Sequence, residues 1–271
     1  MFKLGFSTLG CPSYDIDQVI ALAKNHNFSG VEIRFIRGEV DLPKLEEFSP
    51  ATIEETRRRF DDSGIQVVCI DTSVRMNALD EGERRKQLES SRVLCAIAGG
   101  LGARYLRVFG GPIPEHQDRE ATLNAIVKGL SKVADETNAR GVTTLLETHD
   151  HFSTANSILD LFSRGASGNL GILWDTLHTY RHGESGAHTW AQLGQRIKHV
   201  HVKDSAKLSA EGFDLVLTGE GTAPIPSFLE VLKTANYNGY VHFEWEKAWH
   251  PEIEEPEVAI PHFARYMSGR I

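Results

Sequence analysis

Residues 197–204 read IKHVHVKD, a run in which apolar and polar side chains alternate. Successive side chains of a β-strand point to opposite faces, so this period of two predicts a strand. We expect Val200 and Val202 to pack beneath helices on one face. The other face then presents two imidazoles and an ammonium group to the interior of the fold, those of His199, His201 and Lys203.

Seven further apolar or β-branched runs recur along the chain, separated by segments with helical spacing. Most are almost continuously hydrophobic, which is typical of strands covered on both faces in a parallel sheet. The eight predicted strands cover residues 3–8, 30–35, 66–71, 105–109, 143–147, 171–175, 197–203 and 239–244.

Helix signals lie between these runs. Asp15 is predicted to cap the first helix, Ser49-Pro50 to begin the second, and Gly64 to end it. A later helical pattern begins near Glu83 and is predicted to stop at Gly99-Gly100.

The alternation of strand and helix, repeated without a linker, predicts one (β/α)8 TIM-barrel domain over residues 1–271. A doubly wound open sheet is the alternative. That fold usually has a glycine-rich phosphate turn after its first strand, and residues 7–12, STLGCP, do not form one.

The composition narrows the classes of partner. The 271 residues are 41% hydrophobic and 24% charged, which is ordinary for a soluble globular protein. The short apolar runs predict no membrane span, and the N-terminus has no signal-peptide pattern. A net charge of -8 disfavours nucleic acid as a partner. Three cysteines without paired spacing predict reduced, buried residues in a cytoplasmic protein.

The chemistry of such a barrel is expected where its strands end. Because side chains alternate between the two faces of a strand, we expect Glu147 and His149 of the fifth strand to point inward, as does Glu244 of the eighth. The sixth strand ends in Asp175, and His201 lies near the end of the seventh.

Three carboxylates and an imidazole in one small space would repel and desolvate one another without a cation. The set predicts one divalent ion, Mn²⁺, Mg²⁺, Co²⁺ or Zn²⁺. Alternatives remain at each position: either glutamate could pair with an arginine, Asp175 could cap the turn toward Leu177, and His199 competes with His201.

Several of these strings resemble the xylose isomerase-like superfamily, in particular its sugar phosphate isomerase/epimerase branch, over essentially the whole chain. They are LETH at 146–149, WDTLH at 174–178, HVHVKD at 199–204, FEWE at 243–246, and the openings GFST at 5–8 and GVEIR at 30–34.

The resemblance implies a single divalent metal bound by Glu147, Asp175, His201 and Glu244. It also implies that Glu147 and Glu244 transfer protons on opposite faces of a ketose, and that His178 contacts the substrate. Further candidates for contact with the substrate, or with a carboxylate or phosphate on it, are Arg107, Lys203, His149 and Lys207. Related epimerases carry an acid and an arginine shortly after the seventh-strand histidine, and Asp204 and Lys207 lie nearest those positions in this sequence.

Four functions are consistent with these residues. The first is an isomerase or epimerase of a small carbohydrate, working through an enediolate. The second is a dehydratase of a keto-inositol or dehydroshikimate-like compound, with His149, His178 or Lys203 as proton donor. The third is an apurinic-site endonuclease. Those enzymes need additional metal ligands, and the third and fourth strands here end in Asp71 and Phe109 rather than histidines. The fourth is a sugar-binding relative without turnover.

Aromatic residues follow the last predicted ligand. Trp245, Trp249 and His250 are predicted to wall the pocket or to contact a second subunit of a homo-oligomer, with ordinary packing as the alternative.

Overall fold

The computed structural model describes residues 1–210 and 212–270. Eight parallel strands close into a barrel with helices between them, which confirms the predicted (β/α)8 TIM barrel. Around the barrel the order is β1-β10-β7-β6-β5-β4-β3-β2. These strands are β1 (Lys3–Ser7), β2 (Gly30–Ile33), β3 (Gln66–Arg75), β4 (Tyr105–Phe109), β5 (Thr143–Glu147), β6 (Gly171–Asp175), β7 (Ile197–Val202) and β10 (Tyr240–Phe243).

The predicted faces of the strands agree with the packing. Val200 and Val202 belong to the apolar core, as do Leu146 of β5 and Phe243 of β10. The side chains between them meet other strands inside the barrel; His201, for example, contacts Glu32.

Strand β2 is shorter than predicted, because the Thr8 hydroxyl takes the backbone hydrogen bonds that a longer strand would make with its neighbour. Thr8 Oγ1 accepts hydrogen bonds from the backbone N–H groups of Arg34 at 2.8 Å and Phe35 at 3.1 Å. A side-chain acceptor thus bends the chain after Ile33 and starts the loop that leaves the barrel mouth.

Nine α-helices lie within the described residues. They are α1 (Ile16–Asn25), α2 (Ile53–Ser63), α3 (Glu81–Leu101), α4 (Arg119–Asn138), α5 (Ala155–Ser163), α6 (Thr176–Arg181), α7 (Gly186–Leu193), α8 (Ile225–Thr234) and α9 (Pro256–Met267). Asp15 caps α1 as predicted, and Gly64 ends α2 in the left-handed region.

Two predicted helix ends were wrong. Helix α2 begins at Ile53 and not at Ser49-Pro50, since those residues belong to a turn in which the Thr52 and Ile53 N–H groups bond the Ser49 carbonyl. Helix α3 continues through Gly99-Gly100, where a Cβ on Gly100 would lie 2.5 Å from Ile53 Cδ1. The glycine permits close packing of α3 on α2 and does not stop the helix.

A β-hairpin follows β7 and consists of β8 (Asp204–Leu208) and β9 (Phe213–Val216). It was not predicted from the sequence. Asp204 anchors the loop after it: Oδ2 accepts from the N–H groups of Gly219 and Gly221, at 2.7 and 3.1 Å. Asp204 is 1% exposed, so its role is to hold this loop.

Space for polar residues inside the barrel comes partly from Gly5 on β1. A Cβ at Gly5 would lie 2.1 Å from Nε2 of His242, so only glycine leaves room for this inward imidazole. The three cysteines are reduced and buried. Within the described ranges, no helix combines the length and apolarity needed to cross a membrane.

Candidate metal centre

Four side chains meet at the carboxyl-terminal mouth of the barrel, from the ends of β5, β6, β7 and β10. They offer ligand atoms that all lie within 4.8 Å of one another, and all four are buried. These residues, called the centre below, are Glu147, Asp175, His201 and Glu244.

The imidazole of His201 joins the centre to a carboxylate beneath it. Its Nε2 lies 2.8 Å from Glu32 Oε1. Its Nδ1 lies 3.2 Å from Glu244 Oε1 and 3.7 Å from Glu147 Oε1. Burial opposes protonation, but Glu32 and Glu244 raise the pKa of His201 well above its ordinary value.

Glu32 was not selected as a functional residue from the sequence. It contacts a second layer of imidazoles, with His199 Nε2 at 2.8 Å and His242 Nδ1 at 3.3 Å from its Oε2. Burial disfavours its charge, yet His201 and the hydrogen bonds from the histidines hold the pKa of Glu32 well below its usual range. An acid inside the buried strand GVEI was the signal available in the sequence. The structure thus places His201 in the centre and His199 one layer deeper.

Asp175 performs two roles at once. Its Oδ1 accepts from the N–H groups of Leu177 at 2.8 Å and His178 at 3.0 Å, which caps α6. Its Oδ2 lies 2.8 Å from Lys203 Nζ, on the side of the centre. Burial raises the pKa of Asp175 to about 6, against the pull of Lys203. Capping and membership of the centre are therefore compatible.

Lys203 supplies positive charge to the centre. Its Nζ lies 2.5 Å from Glu244 Oε2, 2.6 Å from Glu246 Oε1 and 3.5 Å from His178 Nε2. Burial opposes its charge, but Asp175 and Glu244 raise the pKa of Lys203 well above its ordinary value. The ammonium group is thus held by acids of the protein.

Arg107 is likewise paired within the barrel. Its Nε lies 3.4 Å from Asp71 Oδ1 and 3.3 Å from Glu147 Oε2, and its side chain is 3% exposed. Burial disfavours ionisation of Glu147, and Arg107 outweighs it, so the pKa of Glu147 is lowered. Glu147 therefore pairs with an arginine and also belongs to the centre, so the two alternatives considered for this glutamate do not exclude each other.

His149 and His178 face each other at the mouth, with ring centroids 4.6 Å apart. Burial, and then Lys203, lower the pKa of His178 well below its ordinary value, which keeps that imidazole neutral. Lys207 is not part of this cluster; its side chain is 86% exposed on the β8–β9 hairpin. Trp245 is buried in the core, and Trp249 is exposed.

The centre fits a divalent ion. Nδ1 of His201 is buried and makes no hydrogen bond of normal geometry to the described residues, although two carboxylates face it. Three carboxylates and one imidazole are a donor set that oxygen-preferring and borderline divalent ions accept. The second nitrogen of His201 is oriented by Glu32, which is the usual outer partner of a metal-bound histidine.

The family model described as xylose isomerase-like TIM barrel matches residues 20–266. Among curated proteins, fructoselysine 3-epimerase of Escherichia coli O157:H7 is 20% identical over 249 residues, covering 89% of this chain and 90% of that protein.

Solved structures share the fold. The probable 3-DHS dehydratase AsbF of Bacillus anthracis superposes with a TM-score of 0.82 at 18% identity, covering 100% of both chains. The IolI protein, solved with a bound zinc atom, superposes with a TM-score of 0.83 at 17% identity, and the match covers 99% of this chain and 98% of that one.

Proposed function

This chain belongs to the xylose isomerase-like TIM barrel family, and we propose that it is a metal-dependent isomerase or epimerase of a small keto sugar. Relatives and structural neighbours with epimerase and dehydratase names support an enzyme that acts on a polyhydroxy ketone. The proposed metal ligands are Glu147, Asp175, His201 and Glu244.

One observation carries the proposal: two buried glutamates converge on Nδ1 of His201, at 3.7 and 3.2 Å. A divalent ion held there would polarise the substrate carbonyl and acidify the neighbouring C–H.

The glutamates supply the proton transfers. Either Glu147 or Glu244 removes the proton from the carbon next to the carbonyl, and the electron pair moves to form an enediolate. The other glutamate starts protonated and gives its proton to the opposite face, which inverts the carbon. Exchange of both carboxyl groups with solvent then restores the starting protonation. Lys203, between Glu244 and His178, adds a fixed positive charge beside the developing oxyanion.

A second candidate, dehydration of a keto-inositol or dehydroshikimate-like substrate, is favoured by His149. Burial opposes its charge, but Asp150, whose Oδ1 lies 3.2 Å from Nδ1 of His149, and the charge of Glu147 raise the pKa of His149. Its side chain is 35% exposed, so a substrate can reach it. An imidazolium at the mouth can protonate a departing hydroxide, a step that elimination requires and epimerisation does not.

Incubation of the metal-loaded protein with a panel of ketoses and cyclic ketones in D₂O tests the proposal. We expect deuterium at the carbon next to the carbonyl and accumulation of the second epimer, both followed by NMR. Enone absorbance without a new epimer would assign dehydration instead. Absence of exchange across the panel, with metal bound, would contradict both reactions; metal-stripped protein is the blank.

Replacing Glu32 tests how the centre is held. We expect Glu32→Gln to weaken binding of Zn²⁺ or Mn²⁺ by about 10- to 100-fold, because an amide acceptor makes His201 a less basic ligand. Calorimetric titration of the metal-stripped protein measures the change. Glu55→Gln is the matched control, because Glu55 is an exposed residue of α2. Affinities equal within twofold, in a variant with normal thermal unfolding, would show that Glu32 does not act through His201.

A further inference from the structure

Arg34, which follows β2, carries a buried guanidinium group without an ion-pair partner among the described residues. The residue is 6% exposed, and its side chain donates one hydrogen bond, from Nη2 to Ser73 Oγ at 2.7 Å. Across residues 1–210 and 212–270, no carboxylate oxygen lies within 4.0 Å of its nitrogens. Arg107 and Lys203, by contrast, are held by acids of the protein.

Leaving this charge uncompensated is costly. A buried cation loses its hydration and regains that free energy only from hydrogen bonds and an anion. Burial, followed by the repulsion of Arg107, lowers the pKa of Arg34 to about 10, while Asp71, Glu147 and Glu244 act in the opposite direction. The guanidinium nevertheless stays charged near neutral pH, so the position suits an anion that arrives with a ligand.

A cavity of about 550 Å³ borders Arg34. Its wall includes Thr72 and Ser73 at the end of β3, the loop at Leu42, and one face of α3. Asp71 also lines it, and Asp71 contacts Arg107, which in turn contacts Glu147 of the centre. None of the described residues that line the cavity belongs to the centre, but the charges of Glu147 and Glu244 act on Arg34, so a ligand held at Arg34 lies near the centre.

The acids around the cavity have ion-pair partners other than Arg34, although the charge of Asp71 also raises the pKa of Arg34. Asp41 pairs with Lys44 at 3.2 Å, Glu89 with Arg92 at 3.1 Å, and Asp71 with Arg107.

Two aromatic rings lie close to the guanidinium group of Arg34. The rings of Phe35 and Trp249 have centroids 5.7 and 5.8 Å from Arg34 Cζ. Trp249 is 52% exposed. Stacking rings with free N–H donors is a common arrangement where arginine binds carboxylate or phosphate.

We propose that Arg34 forms an anion subsite, and that the natural substrate carries a carboxylate or phosphate at the end remote from its ketone. The assignment of the remote end rests on the proposed function, but anion binding by Arg34 does not require turnover.

Calorimetric titrations of the metal-stripped protein test the subsite. The probes are D-fructose, D-fructose 6-phosphate and 5-keto-D-gluconate, which compare a neutral, a phosphorylated and a carboxylated ketose. We expect one anionic probe to bind at least about tenfold more tightly than D-fructose, the value of a charge-assisted hydrogen bond. Whichever anion binds more tightly identifies the phosphate or carboxylate source.

Arg34→Met should abolish that preference and leave D-fructose binding unchanged, whereas Arg34→Lys should restore part of it. Arg37→Met is the matched control, since Arg37 is exposed and paired with Glu47. Equal binding of neutral and anionic probes by the wild type, no measurable binding of either anion at millimolar concentration, or an unchanged preference in Arg34→Met would overturn the proposal. If Arg34→Met fails to fold, the wild-type comparison and Arg34→Lys decide. Absence of hydrogen exchange in D₂O would contradict only the proposed function.

Discussion

Glu147→Gln and Glu244→Gln should each abolish epimerisation, with a loss of about 10²- to 10⁴-fold, while retaining exchange from one epimer only. A glutamine side chain keeps a ligand oxygen but cannot accept a proton at neutral pH. The remaining glutamate can still remove a proton from the epimer whose C–H faces it, return deuterium to the same face, and leave the configuration unchanged. The two variants should therefore exchange opposite epimers.

NMR in D₂O with each pure epimer measures both quantities, and metal analysis separates lost ligation from lost proton transfer. Glu230→Gln is the control and should behave as the wild type, because Glu230 is an exposed residue of α8. If both variants exchange the same epimer at wild-type rates, the pair does not have the proposed role. If only Glu147→Gln or only Glu244→Gln affects turnover, a single base acts, as dehydration would require.

The strand ends that form the centre could be predicted because two regularities act together. A period of two fixes which side chains face inward, and a parallel barrel brings the ends of all its strands to one mouth. For Val200 and His201 these rules need no knowledge of neighbouring strands. Their faces are determined within β7 itself.

The partners of each charge could not be predicted in the same way. That Arg107 and Lys203 contact substrate stays a prediction. Their acidic partners could not be predicted, because the carboxylates beside an inward-facing cation come from neighbouring strands. Glu32 was overlooked for the same reason, since its partners come from β7 and β10. That Arg34 has no ion-pair partner among the described residues was likewise not predictable from the sequence.

Loop structure was predicted least well. The β8–β9 hairpin depends on Asp204, whose carboxylate binds N–H groups up to 19 residues away in the chain. Such contacts leave no periodic pattern. Similarly, Gly99-Gly100 has the composition of a helix end, and the real end at Gly102 is recognised by its positive φ of 72°.

Lys203→Met should destabilise the metal-free protein by about 3–5 kcal/mol, the usual cost of removing one partner from a buried charged network. Lys203 is 1% exposed and lies within 2.8 Å of Asp175, Glu244 and Glu246. Without its ammonium group, these carboxylates face one another in a site that water scarcely reaches. A divalent ion binds only the folded state and compensates the same charges, so saturating metal should stabilise the variant more than the wild type.

Urea unfolding, with and without metal, measures this difference, and Lys207→Met provides the matched control. Lys207 is the next lysine along the chain, but its side chain is 86% exposed and lies 3.8 Å from Asp214, a pair that contributes little in solvent. We expect Lys207→Met to unfold within about 0.5 kcal/mol of the wild type under both conditions. A loss for Lys203→Met below about 1 kcal/mol, or one that metal does not reduce, would mean that Lys203 does not balance the charge of the centre. The expected result would instead mean that, in the metal-free protein, the ammonium group of Lys203 offsets the repulsion among these carboxylates and so stabilises the folded state until a metal ion binds.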